Sequence, residues 1–303
     1  MSSRKRRNFK LDWPVAYEPE SKRGQMNYLN EVWISRELLA NLTLREVRGK
    51  YKRTALGQLW SLANPLALML IYTVVVGFIF RIRPAPGDPS GLDAFPLWLL
   101  CGLLPWTFLS AVISSGLNSL VGNAGLIQKV YFSRIVLPLS AVGSTAYNWL
   151  FEMGVLLIAI SIAGAFVLPW IPLVIVAMML LAVFGAGISL MLSVANVYFR
   201  DTEHFVGIFL QIWMYFSPII YPLSLVANGS AKVGGLLGTN VTVLDIYELN
   251  PVEHFVAVFR NLIYDNRFPS VSDWLTCLIW AVASLAIGAW IFRRNERNLA
   301  ETL

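Results

Sequence analysis

Between Trp60 and Phe80 the sequence has no charged residue, and three cations, Lys50, Lys52 and Arg53, stand just before this run. An uncharged apolar run of about 18 residues or more is long enough to cross the hydrocarbon core of a bilayer as an α-helix. Several further apolar runs follow along the chain. Only 14% of the residues are charged and 56% are hydrophobic, whereas a soluble domain has roughly 25% charged residues. We therefore expect an all-α membrane protein that crosses the bilayer several times.

The hydropathy pattern predicts six membrane-spanning helices. They fall at residues 62–80, 94–117, 135–162, 167–197, 205–218 with a broken extension, and 274–292. Asn64 and Pro65 form a helix-start signal, because proline is favoured in the first turn, so we expect the first span to begin there. The predicted organisation is a cytoplasmic N-terminal arm at 1–30, an amphipathic interfacial helix at 31–60, a six-span transmembrane domain at 61–292 and a cytoplasmic tail at 293–303.

Lysine and arginine are distributed unevenly between the two predicted faces of the membrane. An even number of spans puts both termini on one side, and this side carries most of the 24 lysines and arginines. The opposite side has five of them: Arg81, Arg83, Lys232, Arg260 and Arg267. Because short cytoplasmic loops are enriched in lysine and arginine, we place both termini in the cytoplasm.

The segment before the first span combines apolar and basic residues. Leu38, Leu42 and Val47 can share one face of a helix, while cations such as Arg45 and Arg48 crowd the other face. A basic amphipathic helix of this kind lies in the plane of the membrane surface. Each cation near an anionic inner leaflet contributes roughly 1 kcal/mol of attraction. We therefore expect an in-plane helix ahead of the first span.

The connection between the fifth and sixth predicted spans, at 217–271, is too apolar for a solvated loop. Pro218 and Pro222 should break the fifth helix, because proline lacks a backbone donor and crowds the preceding turn. Asn250, Pro251 and Glu253 then suit the N-cap, N1 and N3 positions of a new helix. The apolar face of that helix comprises Val252, Phe255, Val256, Phe259, Leu262 and Ile263. We expect short re-entrant helices that form an outer gate; the alternative is a surface cap without a function.

Residues suited to bond chemistry are few. Gly49-Lys50 is followed by Tyr51 and lacks the upstream glycine of a Walker A loop, so we expect no ATP site of that kind in this chain. The two histidines, His204 and His254, fall on opposite predicted faces of the membrane. We therefore expect no catalytic residues, no metal site and no cofactor in this chain.

Glu152 is the one clear ionisable residue deep inside a predicted span. A charge at the centre of a span costs on the order of 2.5–3.5 kcal/mol on insertion scales, so Glu152 should face the interior of the bundle. A proton relay usually needs a chain of such groups. We prefer a structural hydrogen bond for Glu152, with a role in a transport pathway as the alternative.

Aromatic residues are frequent in and near the spans. Tryptophan and tyrosine belong to the interfacial belts of membrane proteins, which explains most of them. Trp106, Trp149 and Trp213, however, lie well inside their spans by position. Aromatic faces pack on the apolar faces of rings without a fixed register, as they do in sequence-tolerant base stacking. A channel that moves a sugar polymer needs weak, repeated contacts of this kind.

Four segments resemble a known family. They are KYKRTALGQLWSLANPL at 50–66, CGLLPWTFLSAVISSGLNSLVGNAGLIQKVYFSRIVLPLSAV at 101–142, ANVYFRDTEHFVGIFLQIWMYFSPIIYP at 195–222 and LNPVEHFVAVFRNLIYD at 249–265. In this order they resemble the permease subunits of type-2 ABC exporters of polysaccharides, which export O-antigen, teichoic acid and capsule. The likeness covers nearly the whole chain beyond residue 30. Ser133 departs from the pattern, because the family commonly has proline there, and this departure puts the geometry of the surrounding loop in doubt.

The resemblance implies a homodimer of six-span subunits that sits on two copies of a separate ATPase. ATP and Mg would then be bound by that partner and not by this chain. The implied substrate is a polysaccharide linked to a polyprenyl pyrophosphate, such as O-antigen, teichoic acid or a cell-wall galactan. The implied location is the cytoplasmic membrane of a bacterium, in contact with membrane lipids and with no nucleic-acid partner.

The same resemblance implies roles for particular residues. The helix at 37–53 would form a collar at the inner surface, and the loop at 122–134 would hold a short coupling helix that docks into the ATPase. Residues implied in coupling are Leu126, Ile127, Gln128, Lys129, Val130, Tyr131, Arg134, Arg200 and Asp201. Residues implied in the outer gate are Pro218, Tyr221, Pro222, Asn250, Pro251, Phe255 and Phe259. Residues expected to line a channel are Tyr72, Trp98, Trp106, Trp213 and Tyr215. Our hypothesis for the inner face is that Arg36, Arg45 and Lys52 hold the substrate pyrophosphate during loading.

Two other functions remain open from the sequence. One is a type-2 ABC exporter of a small hydrophobic drug or lipid, whose channel should be narrower. The other is a membrane enzyme that acts on lipid-linked sugars. Such an enzyme would need acidic or metal-binding residues together at one membrane face, and Asp88, Asp93, Asp201 and Glu203 form no such group in the sequence.

Overall fold

The structure is a computed structural model that describes residues 35–50, 52, 54–81, 84–130, 132–233, 242–296 and 298–302. In this described part every regular element is helical. The α-helices are α1 (Arg36–Lys50), α2 (Trp60–Tyr72), α3 (Phe95–Asn118), α4 (Ala124–Ile127), α5 (Val136–Ile162), α6 (Ile171–Tyr198), α7 (Thr202–Tyr215), α8 (Leu223–Val233), α9 (Val243–Glu248), α10 (Pro251–Phe259), α11 (Val271–Asn295) and α12 (Leu299–Thr302). Helices α2 and α10 continue as the π-helical turns Thr73–Ile79 and Arg260–Asp265. The prediction of an all-α membrane protein is confirmed.

Among the residues that the structure describes, five helices are long and apolar enough to cross a membrane. They are Gly57–Ile79, which contains α2, Phe95–Asn118, Val136–Ile162, Leu168–Tyr198 and Val271–Asn295. Their ranges agree with the first four and the last of the predicted spans. Helix α7, at the predicted fifth span, has 14 residues and is therefore about 21 Å long, less than the roughly 30 Å of the hydrocarbon core. The count of six spans stays a prediction.

The start of the first span differs from the prediction. The helix begins at Trp60, after a 3₁₀ turn at Gly57–Leu59, and Pro65 lies inside it. The helix therefore starts about a turn earlier than Asn64 and Pro65 suggested. A proline is tolerated inside a membrane helix when local adjustments satisfy the freed backbone group, so the proline signal is weaker here than in a soluble protein.

The centre of the bundle is built on α3 and α6. Helix α3 packs on α5 and α6, and α11 packs along α6. The closest approach is at Gly187 of α6 and Gly288 of α11, where a Cβ on Gly288 would lie 2.2 Å from the carbonyl oxygen of Gly187. Small residues at such a crossing let two membrane helices touch through their backbones. The outer face of α2, by contrast, is largely exposed, with Leu70 62% and Phe78 80% accessible.

Helix α1 packs against the first turns of α5. Leu42 is buried there, and the carboxylate of Glu46 accepts hydrogen bonds from the hydroxyls of Ser140 (3.2 Å) and Ser144 (2.8 Å). Its cations stand on the exposed side. The apolar side of α1 thus packs on protein, and hydrogen bonds that hydropathy does not show hold the helix to the bundle; its position at the membrane surface stays a prediction.

Candidate functional site

The predicted break after the fifth helix is confirmed. Helix α7 ends at Tyr215, residues 216–221 form turns, and α8 begins at Leu223 after Pro222. Helix α10 then enters the bundle with the apolar face that its sequence predicted, because Phe255, Phe259 and Leu262 are each at most 1% exposed. The ring of Phe255 stacks at 5.6 Å on Phe184, which lies at the middle of α6. Helix α10 and its π-helical continuation to Asp265, called the re-entrant segment below, therefore reach the depth of the middle of a span.

Arg260 fastens this re-entrant segment to the break after α7. Its Nη1 donates to the carbonyl of Pro218 and its Nη2 to the carbonyl of Ile219, both at 2.6 Å. The guanidinium also lies 3.5 Å from the ring centroid of Trp98 on α3. Carbonyl groups freed by a helix break cannot be left unpaired in a membrane, and one planar guanidinium satisfies two of them. Arg260, which the sequence placed simply on the outer face, therefore joins three elements.

Gly102 on α3 makes room for this guanidinium. A Cβ at this position would lie 2.9 Å from Nη2 of Arg260 and 3.2 Å from a methyl group of Val256. The glycine thus lets the cation approach the backbone of α3. Sequence reasoning missed the role of both residues, although a cation between Phe259 and Leu262, in an otherwise apolar run, was a signal that could have found Arg260.

Asn250 links the end of α7 to the start of α10. Its Oδ1 accepts from the indole Nε1 of Trp213 at 2.9 Å and from the backbone N–H of Val252 at 3.1 Å. Its Nδ2 donates to Ser217 Oγ at 2.8 Å and to the carbonyl of Phe216 at 3.1 Å. The predicted N-cap is confirmed. Asn250 also uses all four of its hydrogen-bonding positions to hold the two helix ends together.

A second polar cluster fixes α10 to α11. His254 Nε2 lies 2.8 Å from the carbonyl of Glu248, and Nδ1 lies 2.8 Å from Asp273 Oδ1 and 3.3 Å from Glu253 Oε2. A carbonyl only accepts, so Nε2 must carry a proton, and Nδ1 faces carboxylate oxygens that also need one. The three side chains have the right donor atoms for a metal ion. The partners of both ring nitrogens instead favour a protonated histidine. Its Nε2 donates to the carbonyl of Glu248, and its Nδ1 faces the carboxylates of Asp273 and Glu253.

The aromatic residues predicted to line a channel fall into three places. Trp106 packs edge-on against Trp213, with ring centroids 5.9 Å apart. Tyr72 and Tyr215 lie next to each other, and Tyr215 is 49% exposed. Trp98 is buried beneath Arg260. The structure thus brings together two pairs of the five residues and separates the fifth, and the assignment of all five to a channel stays a prediction.

The predicted coupling loop contains a single helical turn, α4, after a 3₁₀ turn at Val121–Asn123. Leu126 and Ile127 turn inward onto a cluster of buried residues at this end of the bundle, whereas Gln128, Lys129 and Val130 are exposed. Tyr131 lies outside the described residues. The loop therefore presents a short exposed tip on a buried base.

Both sides of this loop are tied to other elements. The backbone N–H of Arg134 donates to Glu296 Oε1 at 3.2 Å, and its guanidinium binds the carbonyl of Glu296 just beyond α11. Arg45 of α1 donates to Asn123 Oδ1 at 2.9 Å. Arg45 is thus already engaged by the loop, and it remains exposed together with Arg36 and Lys52. Arg200 and Asp201 form the exposed turn that precedes α7.

Three of the remaining predicted gate residues lie at or next to the break after α7, and the fourth lies at the start of α10. Pro218 is buried, Tyr221 and Pro222 precede α8, and Pro251 starts α10. The hydroxyl of Tyr221 lies 2.7 Å from the carbonyl of Tyr215, to which it donates, and 2.8 Å from the hydroxyl of Tyr247. A chain of hydrogen bonds therefore runs across the break in addition to the bonds of Arg260 and Asn250.

Together these features define a multi-pass α-helical membrane protein with a re-entrant segment before its last span and a short exposed loop at the opposite end. The chain belongs to the ABC-2 type transporter family, whose sequence model matches residues 37–233. This confirms the family that the sequence motifs indicated.

Similar proteins cover almost the whole chain. An O-antigen export system permease protein RfbA from Myxococcus xanthus is 26% identical over 275 residues, 91% of this chain and 98% of that protein. A protein of the same name from Klebsiella pneumoniae is 30% identical over 272 residues, 88% of this chain and 95% of the relative. The polysialic acid transport protein KpsM from Escherichia coli is 28% identical over 272 residues, 85% of this chain and 93% of the relative.

Proposed function

We propose that this chain is the transmembrane subunit of an ATP-driven ABC exporter that moves a polysaccharide, linked to a polyprenyl pyrophosphate, across the cytoplasmic membrane of a bacterium. The observation that carries the proposal is the end-to-end similarity to permeases named for O-antigen export and polysialic acid transport. O-antigen, teichoic acid and cell-wall galactan are all compatible cargoes. Both termini face the cytoplasm in this arrangement, in agreement with the distribution of lysine and arginine.

The chain performs no bond chemistry in this proposal. Membership of the ABC-2 type family implies a partner ATPase, and that partner binds ATP and Mg and hydrolyses the nucleotide. Two copies of the chain form a homodimer on two ATPase subunits. The sequence supports this division of labour because Gly49-Lys50-Tyr51 does not complete a Walker A loop.

The inner loop is suited to receive force from the ATPase. Its exposed tip, Gln128–Val130, can enter a cleft of the partner, while Arg134 passes the movement to the end of α11 through Glu296. Asn123 links the same loop to α1 through Arg45. Movement of the tip would therefore reach the last span and the in-plane helix together. Arg200 and Asp201 would form a second contact at this face.

The outer gate is suited to hold the pathway closed between transport events. The re-entrant segment is fastened to the break after α7 by Arg260 and Asn250, through hydrogen bonds to neutral groups. Such bonds can exchange for water when the gate opens. The aromatic pairs Trp106–Trp213 and Tyr72–Tyr215 would meet the sugar chain in a channel between the two protomers, and weak stacking lets a polymer slide.

Reconstitution with the partner tests this function. The chain is co-purified with its partner ATPase, and ATP hydrolysis is measured in liposomes with lipid-linked polysaccharide, with polyprenyl phosphate alone, and with small hydrophobic compounds. We expect stimulation by the lipid-linked polysaccharide above that by either control. Stimulation by small hydrophobic compounds alone would favour the exporter of a drug or lipid. Failure of any ATPase to bind the chain would contradict the proposal.

A further inference from the structure

A cavity of about 480 Å³ lies between α6, α7 and α11, beside the re-entrant segment. Phe184 and Met191 of α6 form one wall, Phe209 and Trp213 of α7 a second, and Trp280 and Ile287 of α11 a third. Residues of α9 and of the start of α10 close one end of the cavity. The Trp106 side chain and the Tyr72–Tyr215 pair are not among its lining residues. Trp213 and Asn250 also have roles in the channel and gate proposed above, but no role has been given to the cavity itself.

The walls of the cavity accept only an apolar guest. Trp213 and Asn250 use their polar atoms on each other and on the ends of α7 and α10. The hydroxyl of Tyr247 is paired with that of Tyr221, and the hydroxyl of Ser284 bonds backbone carbonyls of α6 and α11. A sugar or a phosphate placed here would lose water without gaining partners, which is unfavourable for any polar group. A hydrocarbon chain has no such cost.

The cavity lies at the depth of the hydrocarbon core. Its residues on α6 and α11 occupy the middle turns of two membrane-spanning helices. Phe209 and Ile287, at its walls, are 46% and 50% exposed, so the cavity opens at the side of the helix bundle, between α7 and α11. A hydrocarbon chain can therefore enter the cavity from the side of the bundle.

The neighbours of the cavity select which hydrocarbon chain it takes. Its closed end is formed by Asn250 and Pro251, the same residues that start α10, and Phe216 of the break after α7 also lines the cavity. A chain bound here stays beside the outer gate. The proposed cargo carries a methyl-branched, unsaturated polyprenyl chain, and aromatic faces such as Phe184, Trp213 and Trp280 suit its contacts.

We infer that this cavity binds the polyprenyl chain of the lipid carrier, separately from the sugar polymer in the channel. This inference rests on the proposed function. The carrier would be held at the outer gate by its apolar chain while the polymer passes between the protomers. Trp213 then stands at the boundary of the two paths, with its ring in the cavity wall and its edge against Trp106.

Filling the cavity tests the inference in the complete transporter. The chain and its ATPase are placed in phosphatidylglycerol nanodiscs, and binding of polyprenyl phosphate without sugar is measured. Ala283→Trp adds bulk at a residue of the cavity wall, whereas Val282→Trp places the same side chain at an exposed position on another face of α11. We expect Ala283→Trp to weaken polyprenyl phosphate binding by at least about tenfold and Val282→Trp to leave it unchanged. Equal binding by the two variants would overturn the inference.

A photoreactive residue gives a second test that does not depend on whether Ala283→Trp folds. It is placed at Ile287 in the cavity wall, or at Val282 as the control, and the nanodiscs contain polyprenyl phosphate at one part in a hundred of phosphatidylglycerol. We expect polyprenyl phosphate to be enriched among the products at Ile287 and not at Val282. If the two lipids appear among the products at Ile287 in the same ratio as in the nanodisc, the cavity binds any acyl chain, and the inference is overturned. The unmodified complex is assayed in parallel for export of lipid-linked polysaccharide. Export without enrichment of polyprenyl phosphate at Ile287 would contradict the inference but not the proposed function. Enrichment without export would contradict the proposed function and, with it, the inference that rests on it.

Discussion

The guanidinium of Arg260 lies 3.5 Å from the ring centroid of Trp98 and, in the same position, donates to the carbonyls of two consecutive residues, Pro218 and Ile219. One side chain therefore connects the second span, the break after α7 and the re-entrant segment. A cation over an aromatic face gains most when water is excluded. Because none of the three elements is adjacent to another in the sequence, this contact fixes how they sit together in the region proposed as the outer gate.

Loss of the Arg260 side chain should loosen the gate. Arg260→Ala removes two hydrogen bonds from a charged donor, each contributing about 1.5–3 kcal/mol, and leaves two carbonyls unpaired. We expect a fall in the thermal midpoint of the purified complex of roughly 6 °C or more. Arg260→Lys keeps a charge but cannot donate to both carbonyls in one plane, so it should recover only part of the loss.

Arg267→Ala is the matched control for Arg260. The Arg267 side chain is 52% exposed and pairs with Asp265 at 3.2 Å, and exposed ion pairs contribute only about 0–1 kcal/mol. The decisive measurement is ion conductance of the complex in bilayers without ATP. We expect conductance from Arg260→Ala and none from Arg267→Ala. A closed Arg260→Ala complex would show that the contact stabilises the fold without closing the gate.

Asn250 should act on the gate both as a helix cap and as a bridge. Asn250→Ser keeps a capping oxygen but is too short to reach Trp213, whereas Asn250→Ala loses the cap as well, at a further cost of about 1 kcal/mol. We expect both Asn250→Ser and Trp213→Phe to reduce export, and Asn250→Ser to reduce it more, because it also loses the bonds to Ser217 and Phe216. The double variant should lose no more than Asn250→Ser alone, since the bond to Trp213 is already broken in that variant. Additive losses, measured as initial export rates, would mean that the two residues act independently.

The crossing of α6 and α11 should tolerate no added carbon. In Gly288→Ala the new methyl group would lie 2.2 Å from the carbonyl oxygen of Gly187, so the helices would have to separate and lose packing. We expect a large loss of folded protein, measured as the monodisperse fraction after extraction. Gly154→Ala on α5 is the control, because nothing lies within 4 Å of its added carbon. That substitution should be neutral or stabilise by roughly 0.5–1 kcal/mol through better helix propensity.

Much of this architecture follows from local sequence patterns. Long uncharged runs predicted the five full-length helices, Pro218 and Pro222 predicted the break, and Asn250 predicted the start of α10, because each is a property of a few neighbouring residues. The start of α2 predicted from Pro65 was wrong, since membrane helices accommodate proline.

The contacts of Arg260 and Glu46 could not be predicted from the sequence. Each side chain meets partners far away in the chain, at Pro218 or Ser140, and hydropathy describes only the polarity of a segment. Counting Arg260 as an outer-face cation did not indicate that it is buried. The break after α7 and the start of α10 could thus be located from the sequence, whereas the bonds that join them could not.

The inner loop should bind the ATPase through its exposed tip. Val130 is 51% exposed beside Gln128 and Lys129, so Val130→Asp should leave the fold intact and place a charge in the contact. We expect at least about a tenfold weaker association with the ATPase. Leu168→Asp, at an exposed residue of the loop between α5 and α6 at the opposite end of α5, should not change it. Co-purification yield and affinity, measured on both variants, check this. Equal binding would exclude the tip from the contact.

ATP-dependent movement of a lipid-linked polysaccharide by the reconstituted complex tests the central claim most directly. Inside-out vesicles that contain this chain and its ATPase are loaded with the polymer on the outer, cytoplasm-equivalent leaflet, and protection of the sugar from an added glycosidase is followed over time. The proposal predicts protection that requires ATP, that stops when the ATPase cannot hydrolyse it, and that is lost with Val130→Asp. An assembled, ATP-hydrolysing complex that never protects the polymer would contradict the account.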